Sequence, residues 1–212
     1  GGDTVRMPAG GPRTLGLTAI GAAPACGAPS RSGARAGDLL FATGTVGDAG
    51  AGLALLTGKL DGGAGDEARE ALIAAYRQPR PPIALGPALA PLVSAMADIS
   101  DGVLIDADRI ARARGVAITL DLATLPLSHA FTALCGDTRE SRLDAATAGD
   151  DYQLLFTAHP QTREAITRLA AEKGVALSLL GSCVAGEAGV APTDRGKPLP
   201  LPDRLGYQHG AQ

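Results

Sequence analysis

The sequence contains no tryptophan, and aromatic residues make up only 3% of its 212 residues. Proteins that bind single-stranded nucleic acid stack the bases on aromatic side chains, so this scarcity argues against that class of partner. The formal net charge of −3 gives no basic field that would attract a duplex. We therefore expect small molecules, and no nucleic acid, as partners.

Cysteine and histidine are also scarce, with three residues of each kind. They are Cys26, Cys135 and Cys183, and His129, His159 and His209. No two cysteines form a CxxC pair, and no histidine stands near a serine or cysteine in a nucleophile motif. The sequence therefore predicts neither a cysteine-based metal site nor covalent catalysis.

Long apolar runs are missing as well. No stretch of about 18 apolar residues predicts a transmembrane helix, and the first residues do not have the pattern of a secretion signal. We therefore expect a cytoplasmic protein that does not contact a membrane. The 45% of hydrophobic residues is enough for a sizeable core.

Helical and strand patterns alternate along the chain, which predicts a mixed α/β fold. Strands are predicted over residues 13–22, 38–43, 116–120, 152–157 and 177–184, and helices over 48–59, 66–76, 102–114, 127–134 and 161–173. Pro79, Pro81 and Pro82 cannot continue a helix, so they predict an extended connector and the best internal boundary.

The most informative stretch runs from Asp98 to Asp106, where an apolar strand ends on two acids and a serine. Strand alternation places Asp98 and Ser100 on one side, while Asp101 occupies the position expected of a helix N-cap. Hard oxygen ligands at a helix N-terminus suit a divalent cation that binds a polyphosphate. The alternative is that Asp101 only caps the helix and Asp98 is an ordinary acid at a strand edge.

Three further features allow a structural or a functional interpretation. The turn from Gly44 to Asp48 lacks the lysine of a P-loop, so tight packing is favoured over phosphate binding. Asp150 and Asp151 precede an apolar strand, where either a polar turn or a ligand-facing loop is expected. The acids at 106 and 108 are predicted to be solvated and paired with the arginines at 109 and 112.

Taken together, these motifs resemble the thiamine-monophosphate kinase family of the aminoimidazole ribonucleotide synthetase-like superfamily. The matching segments, in order, are GGDTVR at 1–6, RSGARAGD at 31–38, TGTVGDAGAGLALL at 43–56, DISDGVLID at 98–106, AGDDYQLLFT at 148–157 and GYQH at 206–209. The resemblance implies ATP-dependent, Mg²⁺-assisted phosphorylation of thiamine monophosphate to thiamine diphosphate by direct in-line transfer. Such a reaction needs positioning and charge neutralisation more than a nucleophilic side chain, so no catalytic side chain is assigned.

The resemblance also implies roles for individual residues. ATP would contact Gly2, Asp3, Arg31 and Ser100; magnesium would be bound by Asp3, Asp98 and Asp101; and thiamine monophosphate would lie against Asp150 and Tyr207. The implied architecture is a partial nucleotide-binding domain over residues 1–78 and a C-terminal α+β domain over 79–212, its sheet covered by helices on one side. The full-length protein would be a homodimer.

Some family features differ or are missing. The family's GEDYEL is GDDYQL here, and its terminal GY-x-HF is GYQHG, which affects the expected affinity for substrate. About the first third of the family pattern, with further magnesium-binding acids, has no counterpart. The alternatives are therefore a non-catalytic fragment of the kinase or another superfamily member, such as a hydrogenase-maturation carbamoyl dehydratase or a selenophosphate synthetase.

Overall fold

A seven-stranded sheet organises the part of the chain that the computed structural model describes, which is residue 18 and residues 20–61 and 65–207. The strand order is β2-β4-β1-β5-β3-β6-β7. Neighbouring strands are antiparallel except for β3 and β6, which are parallel. The predicted mixed fold class is thus confirmed. The candidate strand at 13–22 lies almost entirely outside the described residues.

The strands are β1 (Leu39–Thr43), β2 (Ala95–Ile99), β3 (Ala117–Asp121), β4 (Gln153–Ala158), β5 (Leu177–Val184), β6 (Gly189–Asp194) and β7 (Lys197–Pro198). The helices are α1 (Asp48–Leu56), α2 (Asp66–Arg77), α3 (Gly86–Leu89), α4 (Val103–Arg114), α5 (His129–Cys135), α6 (Arg139–Thr147) and α7 (Arg163–Glu172). No helix within these described stretches is both long and apolar enough to cross a bilayer.

Helices cover both faces of the sheet, so the expectation of helices on one side is wrong. Successive side chains of a strand point to opposite faces, and Leu40 and Phe41 of β1 accordingly belong to different apolar clusters. The first cluster contains Leu104 and Ile110 of α4, and the second contains Ile166 of α7. The sheet is therefore a buried middle layer, which explains why its central strands are so apolar.

A third apolar cluster joins α1, α2 and α5 beside the sheet. Leu55, Leu72 and Phe131 are each at most 4% exposed and form its centre. The helix α5 is capped by Ser128, whose hydroxyl accepts a hydrogen bond from the Phe131 N–H. This cluster fixes α1 against the rest of the chain, with its N-terminus directed at the start of β4.

The proline-rich connector follows α2 and is neither helix nor strand at residues 79–82, as three prolines require. Strands from both sides of residue 78 share one sheet, with β1 lying between β4 and β5. The division into units at 1–78 and 79–212 stays a prediction.

Candidate functional site

The acidic corner, by which we mean residues 98–101, consists of the last two residues of β2 and the turn that leads to α4. Ile99 is fully buried, whereas the Asp98 side chain is 49% exposed, as strand alternation predicts. The predicted N-cap role of Asp101 is wrong. The N-cap of α4 is Gly102, with φ of 129° and no side-chain cap, and a Cβ there would crowd the backbone at Thr147.

The buried side chain of Asp106 binds the backbone of this corner. Its carboxylate is fully buried and accepts hydrogen bonds from the backbone N–H groups of Ser100 (3.1 Å) and Asp101 (3.2 Å). Burial raises the pKa of Asp106, and these bonds together with the guanidinium of Arg109 oppose that rise. The prediction that Asp106 and Asp108 are solvated is therefore wrong, because Asp106 is 0% and Asp108 only 8% exposed. The predicted pairing with arginines is confirmed.

Two arginines face the predicted metal ligands. Arg109 Nη1 lies 2.5 Å from Asp101 Oδ2 and 2.7 Å from Asp106 Oδ1, so one nitrogen bridges both acids. Arg31 Nη2 lies 3.6 Å from Asp98 Oδ1, with both side chains about half exposed. The charges of both predicted ligands are thus partly balanced by protein cations.

The loop at residues 149–152 packs directly on the corner. Asp150 (φ 69°) and Tyr152 (φ 51°) both have left-handed backbone conformations, which are unfavourable for residues other than glycine. The loop is held there because the Asp150 N–H donates to the Ser100 carbonyl (2.9 Å) and the Tyr152 N–H donates to the Ile99 carbonyl (2.8 Å). Paired strained residues of this kind are typical of functional loops.

The phenol of Tyr152 lies among three predicted site residues. It donates a hydrogen bond to Asp150 Oδ1 (3.0 Å). This bond raises the pKa of Tyr152, with further contributions from burial and from the charges of Asp150, Asp98 and Asp101. The acids that were predicted to bind metal and substrate therefore share one electrostatic environment.

The end of the described chain also reaches the corner. The Tyr207 N–H donates to the Asp101 carbonyl (2.8 Å), and Gly206 packs so closely on Asp101 and Ile105 that a Cβ would collide with both. Tyr207 itself is 58% exposed. Residues about 100 apart in sequence are thus neighbours here.

Asp151 is the residue whose role the sequence interpretation missed. It is 7% exposed, and its carboxylate accepts hydrogen bonds from the N–H groups of Gly47 (2.8 Å) and Ala49 (3.3 Å) at the start of α1. Burial raises its pKa to about 7, although the two backbone bonds oppose this. One feature of the sequence could have indicated this role, because Gly47 precedes α1 and has no side chain that could cap the helix. The first N–H groups of α1 therefore need an acceptor from elsewhere in the chain.

An apolar groove of about 530 Å³ adjoins the corner, a size typical of small-molecule sites. Its lining residues are Pro79, Pro81, Pro82, Ile83, Gly86, Asp98, Tyr152 and Leu154. The proline-rich connector therefore forms one wall of the groove, while Asp98 and Tyr152 link it to the acidic corner.

Six predicted site residues meet at the corner: Arg31, Asp98, Ser100, Asp101, Asp150 and Tyr207. Gly2 and Asp3 lie outside the described residues. The donor set suits a hard cation such as magnesium in its chemistry, because it consists of carboxylates and a hydroxyl. Across residues 20–61 and 65–207, however, no group of three or more acidic, histidine or cysteine side chains could hold a metal.

Comparisons with known proteins identify relatives of this chain. The chain is 37% identical over 213 residues to a thiamine-monophosphate kinase of Caulobacter vibrioides, covering 99% of this chain and 58% of that protein. A crystal structure of the thiamine-monophosphate kinase of Stenotrophomonas maltophilia matches 81% of this chain and 54% of that one, with TM-score 0.71 and 34% identity. The structure of AaThiL complexed with AMPPCP and TMP matches 84% of this chain and 53% of that one, with TM-score 0.66 and 31% identity.

The chain thus spans somewhat over half the length of the relatives that it matches. Residues 35–192 match the family described as AIR synthase related protein, C-terminal domain. This match includes every strand from β1 to β5 and most of the acidic corner's contacts, and it extends over more than half of the chain. The chain therefore belongs to the AIR synthase related protein C-terminal domain family.

Proposed function

We propose that this chain is the part of a thiamine-monophosphate kinase that binds ATP and thiamine monophosphate at the acidic corner. In the reaction, a phosphate oxygen of thiamine monophosphate attacks the γ-phosphorus of ATP in line with the bridging oxygen to the β-phosphate. The new P–O bond forms as the old one breaks, giving thiamine diphosphate and ADP. No protein nucleophile takes part, so the protein positions the reactants and balances charge.

The observation that supports this most is the convergence of Arg31, Asp98, Ser100, Asp101, Asp150 and Tyr207 on one corner. They come from four separate parts of the chain and are the residues assigned by resemblance. The relatives named as thiamine-monophosphate kinases, and the AaThiL complex with AMPPCP and TMP, support the identity of the two substrates.

Each residue has a proposed part in binding. Arg31 and Ser100, with Gly2 and Asp3, contact ATP, since a guanidinium and a hydroxyl suit phosphate oxygens. Asp150 and Tyr207 contact thiamine monophosphate. Asp98 and Asp101, with Asp3, bind magnesium, which would neutralise the charge of the phosphates when bound.

Magnesium binding at this corner implies that the Arg31–Asp98 pair opens and that Asp101 shares its carboxylate between Arg109 and the ion. Asp98 is paired with Arg31 and Asp101 with Arg109, and both pairs are partly exposed. Partly exposed pairs contribute only about 0–1 kcal/mol, so a divalent ion can replace or share them at low cost. Arg31 would then be free to contact the ATP phosphates.

Two alternatives are distinguished by simple observations. A non-catalytic fragment would bind ATP and thiamine monophosphate but give no thiamine diphosphate even after long incubation. Another member of the superfamily would bind nucleotide without preferring thiamine monophosphate over other small phosphates. The expected homodimer of the full-length protein and the cytoplasmic location remain parts of this proposal.

The test is isothermal titration of the 212-residue chain with AMPPCP in the presence of Mg²⁺ and, separately, with thiamine monophosphate. We expect Asp101→Asn to weaken AMPPCP binding and Asp150→Asn to weaken thiamine monophosphate binding, each by tenfold or so, since each removes one charged contact. Asp137→Asn is the matched control, because Asp137 is an exposed acid paired with Arg142 away from the corner. Equal affinities in all variants would rule out the corner as the substrate site.

A further inference from the structure

Two buried acids of α4 make the same kinds of contact, with backbone N–H groups and with an arginine, but act on different parts of the protein. Asp106 accepts two backbone N–H groups and pairs with Arg109, three residues further along the helix. Asp108 accepts the N–H of Val190 (3.1 Å) and pairs with Arg112 (2.6 Å), four residues further along. The first acid holds the acidic corner, and the second holds β6.

The contacts of Asp106 act on the two residues that matter most for the proposed site. A side chain from the first turn of α4 satisfies the N–H groups of Ser100 and Asp101, which therefore need no other acceptor. Fixing these N–H groups fixes the path of the backbone between β2 and α4. It thereby sets the direction in which the Asp101 side chain leaves the chain.

Arg109 extends this control to the Asp101 carboxylate itself. One of its nitrogens contacts both Asp101 and Asp106, so the buried acid and the more exposed acid are joined through a single guanidinium. The Asp106 side chain is 0% exposed, whereas that of Asp101 is 21% exposed. The more exposed carboxylate of Asp101 is therefore tied to the buried carboxylate of Asp106.

We propose that Asp106 is the positioning residue of the acidic corner, acting on Ser100 and Asp101 through their backbone and through Arg109, so that Asp101 is held ready for a divalent cation. This inference rests on the proposed function, because it assumes that Asp101 binds the cation. In this proposal neither Asp106 nor Arg109 contacts the substrates. Supports of this kind beyond the direct ligands typically change metal affinity by 10- to 100-fold.

The test compares Asp106→Asn with Asp108→Asn in the 212-residue chain. Both substitutions keep the size of the side chain, and both leave an arginine partner and at least one backbone N–H group with a poorer acceptor. The readouts are the thermal unfolding midpoint and the affinity for Mn²⁺, measured by electron paramagnetic resonance as a probe for magnesium. We expect both variants to unfold at lower temperature, while only Asp106→Asn weakens Mn²⁺ binding, by about tenfold or more.

A second pair of variants tests the same role without substituting a buried residue. Arg109→Lys keeps the positive charge beside Asp101 but loses the planar group that bridges two carboxylates. Arg112→Lys makes the same change at the pair that holds β6. We expect Mn²⁺ binding to weaken by a few fold in Arg109→Lys alone, because only this variant loses the bridge to Asp101. If the arginine acted only through its charge, both variants would bind Mn²⁺ as the parent chain does.

The outcomes separate this inference from the proposed function. Mn²⁺ binding that is lost in Asp101→Asn supports the cation site of the proposed function. If Asp106→Asn and Arg109→Lys then keep the parent affinity within twofold, or if the Asp108 and Arg112 variants lose as much, the positioning role is overturned. If the parent chain binds no Mn²⁺ that depends on Asp101, the proposed cation site fails and the inference fails with it.

Discussion

A single buried carboxyl group, that of Asp151, joins the 149–152 loop to the start of α1. Burial raises its pKa from 3.8 to about 7, so the folded chain holds a proton there that the unfolded chain releases near pH 4. The stability that this proton provides is fully present below the unfolded pKa. It is lost as the pH rises through about 7.

We therefore expect the chain to become more stable when the pH falls from 8 to 6, with roughly 1 kcal/mol of the change due to Asp151. Asp151→Asn cannot ionise and should lose this part of the pH dependence. The measurement is the free energy of unfolding by urea at both pH values for the two proteins. The same pH dependence in parent and variant would mean that Asp151 is ionised throughout this range.

Residue burial explains what could and could not be predicted at this scale. Asp98 and Ile99 follow strand alternation, which is local, so their exposure and burial are as expected. Asp106 and Asp108 were expected in solvent because charges on a helix usually are. Both acids are buried because their carboxylates accept hydrogen bonds from the N–H groups of Ser100, Asp101 and Val190. No local sequence pattern shows where those N–H groups lie in the fold.

At the scale of elements, the close packing of the 149–152 loop on the corner depends on Gly149. A Cβ at this position would lie 2.6 Å from the Ser100 carbonyl oxygen and 3.3 Å from Asp101 Cα, and both of these are backbone atoms that cannot easily move. Gly149→Ala should therefore push the loop away from the corner. The Asp150 N–H would lose its bond to the Ser100 carbonyl.

We expect Gly149→Ala to lower the free energy of unfolding by roughly 1–3 kcal/mol and to weaken thiamine monophosphate binding as well. Gly65→Ala is the control, since a Cβ there meets nothing within 4 Å and φ is negative. Denaturant unfolding and calorimetric titration measure the two effects. Wild-type values for both quantities in Gly149→Ala would contradict a close-packed loop.

The elements with strong local signals were predicted well. Strand β5 matches its predicted bounds, and α4 has the predicted apolar spacing and ends before Gly115, which has a left-handed φ of 79°. The elements that were not predicted are α3, α6, β6 and β7. They are short or depend on distant partners, as β6 does by pairing in parallel with β3 across some 70 residues.

At the scale of the whole molecule, the described part of the chain brings distant residues together at the corner but offers few metal ligands there. Mg²⁺ prefers six oxygen ligands in octahedral geometry and keeps its waters when the protein offers few. Among residues 20–61 and 65–207, acidic side chains do not gather in a group of three that could hold a metal. The chain also spans only 58% of the Caulobacter vibrioides relative.

We therefore expect this chain to form thiamine diphosphate at least about a thousandfold more slowly than the full-length Caulobacter vibrioides kinase, because catalysis of phosphoryl transfer is mostly charge stabilisation. Both proteins would be incubated with ATP, Mg²⁺ and thiamine monophosphate, and the thiamine diphosphate formed would be quantified by chromatography. Binding of AMPPCP and thiamine monophosphate by the same preparation is the control that the chain is folded and its corner intact. Turnover within tenfold of the relative would mean that Asp3, Asp98 and Asp101 suffice to bind the required magnesium, and that the corner alone is a complete catalytic centre.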